Sequence, residues 1–315
     1  MRKVLLVLAV LVGVAALGAW FEPSHVVRGK LLGEPFFEGR PASYWESRLA
    51  SDDPKDQDEG PRKLRAGASD ATPVLVALSH SSNASVRVQA AGLLGKSSNT
   101  GVPAATDALL DMLKDPDPFA RQTAARALGD IHPDDPRVIP ALIAELDGPD
   151  KATALRPLSQ YGKAAKSAVP KLCQIMESDP ESEVRWNAIR TLGKIGPDAR
   201  QAVPLLIKRL KDEDNLIREH AAEALGDIGP ADAAVAIPDL VPLVNDENSQ
   251  VRRDAIRSLG QFGPAAKAAI PEIEKHRDDP VMPVRQAVEA ALRRIDPTRP
   301  APKGPTGPPQ PNDPD

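Results

Sequence analysis

Large rings are scarce in this chain: five Phe, three Trp and two Tyr among 315 residues exclude a core built on aromatics, so small aliphatic side chains must do the packing. Cysteine is nearly absent. The single Cys173 excludes an internal disulfide and any cysteine-based metal cluster, and leaves the compartment open. An excess of one charge is missing too. With 40 Lys+Arg against 44 Asp+Glu, the net charge of -4 offers no footprint for a phosphate backbone, and no nucleic-acid partner is expected. What the chain has in quantity is glycine (21) and proline (33). Together they make up about 17% of it, a level compatible with order if they punctuate something regular.

One apolar run stands out, at the N-terminus. Met1-Arg2-Lys3 precedes eighteen uncharged, mostly apolar residues, Val4 to Phe21. At 1.5 Å per residue a helix of that length nearly crosses a ~30 Å hydrocarbon core, which reads as an export signal over residues 1–21. Ala16-Leu17-Gly18 suits signal cleavage, whereas the length of the run and Trp20 suit a retained signal anchor. On either reading the chain beyond about residue 22 is expected outside the cytoplasm, with membrane attachment through residues 4–21 if the signal is uncleaved. Residues 22–40 read as a linker.

The remainder repeats itself. AVPKL (168–172), AVPLL (202–206), AIPDL (236–240) and AIPEI (269–273) place Pro170, Pro204, Pro238 and Pro271 at spacings of 34, 34 and 33 residues. A second marker runs in register, with Arg185, Arg218, Arg252 and Arg285 opening VRWNAIRTLGKIG and its copies. Worn copies carry Arg87 and Arg121, and a shortened one has Lys151 in the arginine slot. Each unit reads as two helices. The first opens on the proline, since a first-turn N–H has no intrahelical partner. In the second, apolar residues at -1, +3, +4, +7 and +10 from the arginine, such as Val184, Ala188, Ile189, Leu192 and Ile195, share one face at 100° per residue. A glycine then caps the helix, and a proline or small residue ends it.

On these residues the chain resembles the HEAT-repeat family, in particular the PBS-lyase HEAT-like repeats. The resemblance implies an all-α fold: an α-solenoid of about eight antiparallel helix pairs, with repeats over 71–296 and, around Tyr44 and Trp45, N-terminal capping helices over 41–70. Residues 297–315, eight of them proline, read as a disordered tail.

Five arginines follow an aspartate by six residues: Asp115 and Arg121, Asp179 and Arg185, Asp212 and Arg218, Asp246 and Arg252, Asp279 and Arg285. Each arginine sits at the margin of the apolar face, within reach of the turn carrying the aspartate. The series therefore reads as a structural ladder fixing the inter-helix turns, similar to the Asp and Arg ladder of HEAT-repeat proteins. Some HEAT-like proteins are enzymes. Deoxyhypusine hydroxylase holds two irons through His-Glu pairs just after the repeat arginine, but here that slot reads Gln122-Thr123, Trp186-Asn187, Glu219-His220, Arg253-Asp254 and Gln286-Ala287. The five histidines lie at no ligand spacing, and no phosphate loop, serine elbow or Cys/His dyad appears. No metal, cofactor or catalytic residue is expected.

Positions +1, +2, +5 and +9 point away from the apolar face, onto what is the concave side in HEAT proteins. They present Gln122, Thr123 and Arg126, then Trp186, Asn187, Arg190 and Lys194, then Glu219, His220, Glu223 and Asp227, then Arg253, Asp254 and Arg257. Neighbouring repeats could neutralise one another, Arg190 with Glu223 and Glu223 with Arg257. Alternatively the stripe binds, because Trp186 beside Arg190 has the composition of an interface hot spot. The expectation is a non-catalytic scaffold for protein partners, the alternative a HEAT-like enzyme of lyase-like or metal-dependent hydroxylase-like type.

Overall fold

A computed structural model of the protein describes residues 24–96, 101–132 and 134–298. Helix follows helix in antiparallel pairs, the α-solenoid class that the repeat predicts. Among the described residues strand is confined to a two-residue hairpin, Phe36–Phe37 against Arg40–Pro41. Two compact units divide the chain, with the boundary between Thr191 and Leu192 inside the helix Ser182–Ile195.

The expected placement outside the cytoplasm, anchored or released, is corrected here. Among the described residues no helix is long and apolar enough to cross a membrane. Their longest helices have 14 residues, about 21 Å, and each is apolar on one face only. The run Val4–Phe21 on which that expectation rested lies outside the described residues, as does the tail beyond Thr298.

In the first unit the pairs Thr72–Leu78 with Ala84–Leu94, Pro103–Met112 with Pro118–Ile131, and Val138–Glu145 with Ala152–Tyr161 lead to Val169–Ser178 and the helix at the boundary. They are preceded by Val26–Leu32, the hairpin, Ala42–Leu49 and Pro54–Ala66. The stretch read as a linker is thus folded from residue 26 onward. Phe37 packs 5.6 Å from the ring of Trp45, whose indole N–H donates to the Phe37 carbonyl at 3.3 Å, while Gly29 seats Pro41 and Phe36. The anchor is Trp45, itself 3% exposed.

The second unit pairs Val203–Arg209 with Asn215–Ile228, Ala233–Leu240 with Ser249–Gln261, and Ile270–Glu274 with Met282–Ile295. Pro204 and Pro271 fall in the first turn of their helices, but Pro238 does not. Ala233 opens that helix five residues earlier, so one repeat has an extra turn ahead of the proline. The second helices start as their sequences dictate: side chains of Asp117, Asp214 and Asn248 accept N–H groups of the first turn. Several end on a glycine of positive φ, as Gly196 (73°) and Gly263 (59°). From each a 3-10 segment leads to the next first helix and buries alanines, Ala199 and Ala202 or Ala266 and Ala269.

A repeated arginine joins the repeats. Its Nη1 donates to the carbonyl six residues earlier: Arg121 to Asp115 at 2.8 Å, Arg185 to Asp179 at 2.9 Å, Arg218 to Asp212 at 2.8 Å, Arg252 to Asp246 at 2.9 Å and Arg285 to Asp279 at 2.8 Å. The carboxylate it grips is that of the next repeat, not of its own. Arg87 holds Asp115 through two bonds of 2.7 and 2.8 Å, Arg218 holds Asp246 at 2.8 and 3.0 Å, and Arg252 holds Asp279 at 2.9 and 3.1 Å. Arg121 reaches Asp150, and Lys151 takes the arginine's part towards Asp179. Asp115, Asp179, Asp212, Asp246 and Asp279 each also accept the amide two residues on, as Asp279 does from Val281 at 2.9 Å. Burial alone would raise the carboxyl of Asp279. The bonds from Arg252, the Val281 amide and His276 outweigh it and hold that group below its ordinary value; Asp115 and Asp179 are lowered on the same pattern by Arg87 and Lys151.

Between second helices of successive repeats the backbones nearly touch. A Cβ on Gly95 would lie 2.5 Å from the Cβ of Ala127, and one on Gly260 would lie 2.7 Å from the Cα of Ala291. Both glycines sit at +8 and both alanines at +6. This crossing is why the chain does without large rings.

Removing one ladder partner leaves a carboxylate that water barely reaches. Arg218→Ala is expected to lower stability by about 3 kcal/mol in urea denaturation, whereas Arg200→Ala, whose side chain is 63% exposed although it pairs with Asp232, is expected to cause no resolvable change. Because the carboxyls of Asp115, Asp179 and Asp279 titrate below their ordinary value of 3.8, their contribution is complete above that pH and is lost as pH falls through the lower folded value. An Asp279→Asn variant should therefore show a shallower acid limb in a stability-versus-pH series. At the crossing, Gly260→Ala should destabilise by roughly 1–3 kcal/mol through overpacking. Gly92→Ala, where the nearest atom is 3.8 Å away, should stabilise by roughly 0.5–1 kcal/mol.

Candidate binding face of the second helices

The stripe expected to face water divides by position. At +2, Thr123 and Asp254 are buried, and Asn187 and His220 are half-buried. The reason is the flank shared by +2 and +6, which meets the preceding second helix. In the first unit Thr191 donates to the carbonyl of Leu155 at 3.2 Å; in the second Ser258 donates to that of Ala222 at 2.7 Å. Trp186 at +1 is half-buried and not the bare indole that its slot suggests, while Gln122, at +1 one turn from Arg126, is exposed. Position +5 carries the exposed cations Arg126, Arg156, Arg190 and Arg257.

Within the second unit this face is neutralised from Lys194 to Arg257, while Arg294, at +9 of the last repeat, lines a hollow of about 570 Å³ with Arg253 and Arg257 and has no acid among the described residues. Glu223 receives Lys194 at 3.3 Å, Arg257 at 3.8 Å and His220 at 3.4 Å; Asp227 receives Lys194 at 2.9 Å. Arg253 lies 2.7 Å from Asp254 and 3.4 Å from Glu219. The bond with His220, reinforced by the charge on Lys194 and opposed by burial, lowers the Glu223 carboxyl to about 2, so the acid at the centre stays ionised. Burial pushes Glu219 the other way. This is a closed set of charges, in which each cation already has its acid.

Within the first unit the same positions remain open. A groove of about 500 Å³ is lined by Arg65, Lys96, Arg126 and Arg156, with Asp130 as its one carboxylate, over a floor that includes Gly92 and Ala127. A second hollow of about 450 Å³ shares Arg156 and continues to Asn187 and Arg190. Among the described residues none of these five side chains has a hydrogen bond or ion pair. Arg156 escaped the sequence reading although it lies five residues after Lys151, the register residue of the shortened repeat. Arg65 belongs to the capping helices, where no repeat register exists.

Nothing in the described residues gathers metal ligands: no group of three or more His, Cys, Asp or Glu is placed to hold an ion. His132 stacks on Tyr161 at 4.1 Å and His276 bridges Asp279 and Asn245, so both sit in packing roles. Burial raises the thiol of Cys173, which favours its unreactive protonated form.

Comparison with known proteins agrees with this architecture. A family model of HEAT repeats matches residues 71–158, 169–236 and 233–293. An engineered protein of known crystal structure is 24% identical, with a TM-score of 0.52 over 82% of this chain and 78% of its own. The complex of CpcE and CpcF of phycocyanin lyase from Nostoc sp. PCC7120 is 24% identical, covering 70% of this chain and 93% of its own at a TM-score of 0.45. Human deoxyhypusine hydroxylase in complex with glycerol is 22% identical, covering 81% and 95% at 0.33. The likeness to the engineered protein concerns the fold alone. No curated protein matches. With arginine register, ladder and family match coinciding over most of its length, the chain belongs to the HEAT-repeat family.

Proposed function

We propose that the protein is a non-catalytic scaffold that holds protein partners on the exposed face of its second helices. The observation that carries this reading is the surplus of arginine at +5. Core, ladder and helix crossings are complete without Arg126, Arg156 and Arg190, so these side chains have no part in holding the repeats together. Arginine without an internal partner on an ordered helix suits recognition, since its planar fork binds with little further loss of freedom. Trp186 adds apolar area beside Arg190 only in part, being half-buried.

The enzyme reading borrows from the phycocyanin lyase and the deoxyhypusine hydroxylase, to which the likeness is one of fold. It is tested together with the scaffold. A photo-reactive residue placed at Gln122, on the second helix, should crosslink a defined protein partner. The same residue placed at Gln174, exposed on a first helix, should not. Equal yields at the two positions would exclude the proposed face. Elemental analysis of purified protein should find no stoichiometric metal; one or two equivalents of iron would favour the hydroxylase-like reading instead.

A further inference from the structure

The +5 position differs between the two units. In the second it reads Glu223, Arg257 and Ala290 in turn, and the first two lie 3.8 Å apart. In the first unit three consecutive repeats carry Arg126, Arg156 and Arg190, and the groove walls add Arg65 and Lys96. The nearest acid at this face, Asp130, receives Gln160 at 3.4 Å rather than any of the arginines. Yet residues 24–191 as a whole hold 21 basic and 23 acidic side chains. The cations are therefore segregated, not in excess: acids elsewhere in the unit are engaged by the ladder and by pairs such as Arg137 with Asp107 and Asp135.

We infer that this groove binds an acidic peptide segment of a partner, with one carboxylate taken by each successive arginine. The inference rests on the scaffold reading and adds the chemistry of the partner. Spacing supports it. Neighbouring packed helices lie about 8–10 Å apart. An extended peptide rises about 3.3 Å per residue, so carboxylates three residues apart recur at about 10 Å and meet successive repeats. The chemistry supports it as well: the unit already binds carboxylates through guanidinium forks, as Arg87 binds Asp115 at 2.7 and 2.8 Å. Gly92 and Ala127 leave a low floor on which the methylenes of a glutamate can lie.

A nucleic acid fits less well. One strand brings a charge about every 3.4 Å, near three for each arginine, and the surplus would face a unit whose balance is acidic.

The test is a fluorescence-anisotropy titration of the full chain with a short labelled peptide bearing glutamate at every third position. Controls are its glutamine counterpart and a single-stranded oligonucleotide. The glutamate peptide should bind and should weaken as salt is raised. The Arg126→Gln/Arg156→Gln variant should bind it at least about tenfold more weakly. Lys163→Gln/Lys166→Gln, an equal change of charge on exposed residues of a 3-10 turn, should leave binding unaltered. Circular dichroism and thermal melting confirm that each variant is folded. Equal binding of the glutamine peptide, tighter binding of the oligonucleotide, or equal losses in the two variants would overturn the inference. Failure of the peptide with crosslinking at position 122 intact would overturn it and leave the scaffold standing. Peptide binding without that crosslink would do the reverse.

Discussion

The arginine that reaches from one repeat to the next is the constraint on which the architecture depends. Its guanidinium is shared between a carbonyl of its own inter-helix turn and the carboxylate of the following turn, so one planar group sets both the shape of a repeat and its distance from its neighbour. The aspartate completes the circuit through the amide two residues on, as Asp246 accepts from Asn248 at 2.9 Å. Every strong donor at the turn thus has its acceptor, which is what makes burial of these charges tolerable. HEAT repeats stack without a central core because this contact and the helix crossing are renewed at each step.

The crossing supplies the second half. Glycine at +8 against a small residue at +6 brings backbones together, and the cohesive energy comes from many short aliphatic contacts instead of a few large ones. Close approach also explains the division of the polar stripe. Positions +2 and +6 are turned towards the neighbour, leaving +5 the most open, while +1 ranges from the exposed Gln122 to the half-buried Trp186 and Glu219. Whether such a surface is chemically quiet or receptive then depends on one residue per repeat. An acid at +5, as at Glu223, turns the face inward on itself; arginine at three repeats running leaves guanidinium groups with no internal acid.

Much of this was legible in the sequence, for identifiable reasons. The two markers at a common period disclosed the repeat, and apolar residues at -1, +3, +4, +7 and +10 disclosed the buried face: Val184, Ala188, Ile189, Leu192 and Ile195 are each 4% exposed or less. Direction along the stack was not legible. Asp and Arg six residues apart suggest a pair, but proximity in sequence does not say which repeat a long side chain leans towards, and Asp150 escaped because the shortened copy breaks the period. Asp254 was assigned to the surface because a helical wheel describes one helix and is blind to the neighbour on its flank. The folded segment 26–41 was hidden for the opposite reason: its order comes from contact with Trp45, a long-range event that no local pattern announces.

A ladder whose rungs all lean the same way is polar, and polarity makes its two ends unequal under stress. If a repeat peels away on the C-terminal side of a joint, the arginine left behind keeps its carbonyl bonds and offers its free edge to water. If the repeat on the N-terminal side peels away, what is left is a carboxylate such as Asp279, which keeps the amide of Val281 but loses both bonds from Arg252. The two directions of fraying therefore uncover opposite charges, a guanidinium edge in one and a carboxylate in the other.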